Sequence, residues 1–93
     1  MGMYKIEILD DAEKHLELYK KSGNKVVNER IDRIFKELKV HPKIGIGKPE
    51  RMKHKKKELW SRRIDQKNRM TYEIEENIVT VSVISAMGHY DDK

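Results

Sequence analysis

"RMTYEIEENIVTVSVISAM" (69–87) decides the fold. In its first part Met70, Tyr72 and Ile74 alternate with Arg69, Thr71 and Glu73, the period of two expected of a strand with one apolar face. Glu76–Asn77 is a short break that suits an antiparallel hairpin. The run 77–87 that follows is the most apolar of the chain and fits a central strand. Working backwards, "ELWSRRID" (58–65) turns Trp60 and Ile64 to one side, Ser61 and Arg63 to the other. "QKN" (66–68) is short enough to join it to the next strand as a second hairpin.

Further upstream the period changes. "MYKIEIL" (3–9) alternates Tyr4, Ile6 and Ile8 and reads as a strand. Asp10 with Glu13 three residues on predicts a capping box. Ala12, Leu16 and Tyr19 then share one helical face, and Gly23 stands where a helix would stop. Asn24 can cap a second helix, whose Val27, Ile31, Ile34, Phe35 and Leu38 form an apolar stripe ended by Pro42. "KIGIGKPE" (43–50) reads as a loop. The order β-α-α-β-β-β predicts an α+β domain, 1–93, with two helices on one face of a small antiparallel sheet and the other face open.

With 93 residues and a charged fraction (40%) above the hydrophobic one (37%), the chain has room for a single thin core. It lacks the ~18 consecutive apolar residues of a membrane span, and "MGMYKIEILDDAEKH" has no secretory-signal pattern, so no membrane association and a cytoplasmic setting are expected. The lack of cysteine excludes disulfides, thiol nucleophiles and thiolate zinc sites. The four histidines are not spaced as metal ligands, and neither metal nor cofactor is expected. His15, on a helix, and His41, before Pro42, read as surface residues.

The charge is unevenly placed. Residues 48–69 hold ten Lys/Arg against three acids, a net +7, whereas the remainder of the chain sums to −2. Such clustering fits a polyanionic partner, nucleic acid first, although a solvated lysine loop would give the same count. If Trp60, Ile64, Met70, Tyr72 and Ile74 face the helices, Arg63 and Arg69 project from the open face. Strands need polar residues on their wet side in any case, but two guanidinium groups there also make a phosphate clamp.

Taken together, "GKPERMKH" (47–54), "WSRRI" (60–64), the arginine of "NRMTY" (68–72) and "GHY" (88–90) resemble the YoeB (Txe) branch of the RelE/ParE superfamily of bacterial toxins. The resemblance implies the toxin of a type II toxin–antitoxin system, an endoribonuclease acting on mRNA in the A site of the 70S ribosome. Metal-free RNA cleavage needs a base for the 2′-hydroxyl, an acid for the departing 5′-oxygen and cations for the phosphorane. By resemblance Glu50 is the base, His89 the acid and Arg69 the phosphate clamp. Lys53 and Arg63 support the phosphate, and Tyr90 helps to hold the substrate. His54 stays in a supporting place.

Surrounding cations lower a glutamate from its usual pKa of about 4.3 and disfavour protonated histidine. Bound RNA offsets those cations, so the expected enzyme is poorly tuned when empty and depends on the ribosome to organise its substrate. The resemblance further implies a YefM-like antitoxin that folds across the basic face, and a homodimer. The chain departs from the pattern by continuing past His-Tyr with "DDK" (91–93). The competing expectation is a non-catalytic basic module that binds RNA or the ribosome. A gyrase-directed toxin of the ParE branch usually lacks the Glu and the His.

Overall fold

Helix boundaries follow the caps. In the computed structural model, which describes residues 3–88, the first helix, α1 (Asp10–Ser22), begins without a side-chain cap, because Leu9 and not Asp10 takes the N-cap position. The expected capping box is therefore not formed. Asp10, Asp11 and Glu13 instead lie in the first turn, where they complement the positive end of the helix dipole. Gly23 ends α1 in the left-handed conformation at φ 72°, as expected. The second helix, α2 (Lys25–Val40), opens with the Val27 N–H donating to Asn24 Oδ1 at 3.1 Å.

Five strands form one sheet in the order β1-β5-β4-β3-β2. They are β1 (Lys5–Ile8), β2 (Glu50–Arg51), β3 (Leu59–Arg63), β4 (Arg69–Glu75) and β5 (Thr80–Ser85). The β3–β4 and β4–β5 hairpins are antiparallel, as their alternation predicts. Two features refine the expected sheet. β1 runs parallel to β5, from Lys5↔Thr80 to Ile8↔Val83, so the sheet is mixed. The loop before β3 contributes the two-residue β2, with Glu50 opposite Ser61 and Arg51 opposite Trp60.

The core lies between the helices and one face of the sheet. Val27, Ile31, Ile34 and Leu38 meet Met70, Tyr72, Ile74, Val81 and Val83, all buried. Truncating a side chain such as Ile34 or Leu38 there costs about 2–5 kcal/mol through lost burial and the cavity left behind. Phe35 and Trp60 are only partly buried against this core. Among the described residues the second face carries no helix. Opposed side chains of an antiparallel pair share a face, so it presents Glu50–Ser61–Thr71 across three strands and Arg63–Arg69 across two. Among the described residues no helix is long and apolar enough to cross a membrane.

Candidate active site on the open face

Strand pairing alone brings Glu50 and Arg69 together, although 18 residues separate them in the chain. Both lie on the open face, two strands apart, with Ser61 of β3 between them. Arg69 Nε donates to Ser61 Oγ at 3.0 Å, and its Nη2 reaches Glu50 Oε1 and Ser61 O, each at 3.4 Å. The guanidinium is thus braced at one edge, with its side chain only 14% exposed, while the Glu50 side chain is 73% exposed. An ion pair this long and open holds weakly, at ~0–1 kcal/mol. Both groups remain accessible to a ligand.

Arg63, directly opposite Arg69, is exposed. It is held through its backbone, whose N–H donates to Gly47 O at 2.6 Å. Gly47 has φ +81°, and a Cβ there would come within 2.7 Å of Arg63 O, so the "GIGK" loop needs glycine for this approach. Lys53 follows β2 and, with His54, Lys55 and Lys56, lines an open crevice of about 740 Å³. His54 Nδ1 accepts from the Lys56 and Lys57 N–H groups at 3.2 and 3.0 Å, which folds the lysine run back on itself. That crevice includes none of Glu50, Arg63 and Arg69.

His89 and Tyr90 lie outside the described residues. The chain is described as far as Gly88, whose carbonyl accepts from the Arg69 N–H at 3.0 Å and whose N–H donates to Asn68 Oδ1 at 2.9 Å. Gly88 adopts φ +76°, a left-handed turn beside Arg69. Asn68 is itself fixed by Asp65, whose Oδ1 accepts from the Lys67 and Asn68 N–H groups at 2.8 and 2.7 Å. Burial pushes the Asp65 carboxyl up, but these donors outweigh it and hold the group below the usual carboxylate range.

Two residues to which the sequence assigned no part in the site stand out. Arg62 is fully buried on the helix side of β3. Its Nε donates to Tyr72 Oη, its Nη1 to Glu37 Oε1 and Ile46 O, and its Nη2 to the carbonyls of His41 and Ile44, over 2.6–3.3 Å. It therefore anchors the loop that leads to Glu50. The alternation placing Trp60 and Ile64 inward also points Arg62 inward, and that is the signal the sequence offers. His15, expected at the surface, is half-buried, and its Nδ1 accepts from the Ala86 N–H at 3.1 Å.

Comparison with known proteins follows the same lines. A family model described as the YoeB-like toxin of bacterial type II toxin–antitoxin systems matches residues 8–90. A toxin YoeB from Synechocystis is 34% identical over 76 residues, 82% of this chain and 86% of that protein. The solved YoeB/ParE toxin from Agrobacterium tumefaciens superposes with a TM-score of 0.81 at 27% identity, covering 92% of this chain and 99% of that one. A YoeB–YefM complex from Staphylococcus aureus gives 0.73 at 27% identity, covering 94% and 98%.

Proposed function

The chain belongs to the YoeB-like toxins of bacterial type II toxin–antitoxin systems, and from that premise we propose that it is a ribosome-dependent endoribonuclease cutting mRNA in the A site without a metal. The observation that carries the reading is the open-face group itself. A carboxylate and a braced guanidinium lie 3.4 Å apart, next to the residue after which His89 follows.

In this mechanism Glu50 takes the proton of a ribose 2′-hydroxyl, whose oxygen attacks the adjacent phosphorus. The P–O5′ bond breaks, and His89 gives its proton to the leaving oxygen. Arg69 and Arg63 stabilise the extra negative charge of the phosphorane, with Lys53 adding a further cation and Tyr90 holding the substrate. The products are a 2′,3′-cyclic phosphate and a 5′-hydroxyl, and no water is consumed. In the empty site Arg69 is paired with Glu50; an incoming phosphate takes over the guanidinium and frees the carboxylate to act as a base.

The lysine run at 53–57 extends the cationic surface toward nucleic-acid backbone, which supplies affinity without sequence information. The proposed partners are mRNA and the 70S ribosome in the cytoplasm, a YefM-like antitoxin, and a second copy of the chain. The Staphylococcus aureus relative was solved with YefM, and an acidic antitoxin segment crossing the open face would cover Arg63 and Arg69.

The test is cleavage on programmed ribosomes by wild type, Glu50→Ala and His89→Ala. A-site cutting by wild type that both variants lose while staying folded upholds the assignment. Ribosome binding that leaves the message whole makes the protein a basic binding module instead.

A further inference from the structure

The sheet hydrogen bonding of β5 toward β4 ends at the Thr71↔Ser85 pair. The next residue, Ala86, is nevertheless fully buried, and a buried peptide group needs partners. Both of its partners are side chains of α1. The Ala86 N–H donates to His15 Nδ1 at 3.1 Å, and its carbonyl accepts from Tyr19 Oη at 2.6 Å. These two residues stand four apart, on the same helical face. Two residues on, both backbone groups of Gly88 are taken by Asn68 and Arg69. Residues 86–88 are thus pinned at four points between a helix on one side and the β3–β4 turn on the other.

We propose that His15 and Tyr19 are positioning residues of the active site: through the Ala86 peptide they fix where, and in which direction, the chain leaves the sheet toward His89. The proposal rests on the nuclease reading for its functional consequence, whereas the clamp itself is a property of the free protein. Neither residue is assigned contact with RNA. The geometry requires His15 to present a bare Nδ1, with its proton on Nε2, and Tyr19 to keep its hydroxyl proton. Burial, with a smaller contribution from Asp65, pushes the Tyr19 hydroxyl up to about 12, so it donates throughout the physiological range.

Tyr19→Phe deletes one bond at constant shape, and His15→Ala deletes the other. His15→Asn restores an acceptor oxygen near the Nδ1 position and serves as the rescue. Three readouts are taken: amide exchange at Ala86 and Gly88 with the His89 imidazole NMR signals in the free protein, single-turnover cleavage on programmed ribosomes, and ribosome Kd. We expect His15→Ala and Tyr19→Phe to speed Ala86 exchange and to slow cleavage on the order of tenfold to a hundredfold, as small misplacements of a reacting group do. Ribosome Kd should hold, and His15→Asn should recover most of the rate.

Unchanged Ala86 exchange, or slowed cleavage that tracks only the loss of thermal stability and that asparagine does not rescue, overturns the proposal. If the wild type cuts no message, the nuclease reading fails on its own. The clamp is then judged on the free protein, where the His89 imidazole signals must shift in His15→Ala and return in His15→Asn; signals that stay in place overturn it.

Discussion

Arg62 and Arg63 are adjacent and chemically identical, yet they sit on opposite faces of β3 and meet opposite environments. Arg62 is fully buried, with three backbone carbonyls, a carboxylate and a phenol around it. Arg63 is exposed and donates to its surroundings through its backbone N–H. Arg69 lies between these extremes, braced by Ser61 but only loosely paired with Glu50. A guanidinium whose donors are all used holds a structure together; one with donors to spare can accept a phosphate. Among the described residues the open face is the one that carries guanidinium groups with donors to spare, as the proposed phosphate contacts require.

The strongest way to break this contrast is to empty the buried side. Arg62→Met should cost roughly 3–5 kcal/mol, because it leaves the Glu37 carboxylate and several carbonyls without their donor. Arg62→Lys should rescue little, since one ammonium cannot reproduce the planar fork. Urea denaturation of the two variants measures both. On the open face the effect should fall on rate and spare stability. Arg69→Ala is expected to slow cleavage on the order of a hundredfold or more while moving the unfolding free energy by less than about 1 kcal/mol.

The buried network also carries a pH signature. Burial pushes the Glu37 carboxyl up, but the Ile46 N–H and the Arg62 guanidinium more than offset it and hold the group below its ordinary range. A carboxylate lowered in the folded state contributes its full stability above the unfolded value of about 4.3, and loses it as pH falls through the folded one. Glu37→Gln should therefore be less stable than wild type at neutral pH, and the gap should close in acid. Thermal melts across that range would expose a pH-independent gap if the network is not ionic. The smallest expected change is Arg63→Ala, within about 0.5 kcal/mol in stability, with a shallower salt dependence of ribosome binding because one phosphate contact is lost.

The residues that repeat a period are legible in the sequence, and those that depend on a distant partner are not. Alternation in β3 and β4 is enough to place Ser61, Arg63, Arg69 and Thr71 on one face, and the α2 stripe correctly names Val27, Ile31, Ile34 and Leu38 as core. Two residues are too few to show a period, so β2, and with it the pairing that sets Glu50 beside Arg69, is hidden in a loop. A parallel neighbour leaves no local mark, so the place of β1 beside β5 cannot be read. His15 sits on a helix among charged residues and looks exposed until the end of β5 is brought against it. Nothing in Asp10 and Glu13 reveals that the helix starts one residue early, at the expense of the capping box.

The position of β5 between β1 and β4 bears on the order in which the molecule is made. Of these five strands the first to be made finds its neighbour only in the last, across a separation of some 75 residues in their registered pairs. Until that strand arrives, β1 has no place in the sheet and the far side of β4 is a bare edge, while long-range closures of this kind are slow to form. The five-stranded sheet accordingly cannot close before the segment through Ser85 has been made. The β2–β3–β4 part that carries Glu50 and Arg69 can pair earlier, but its β4 edge is covered only when β5 arrives.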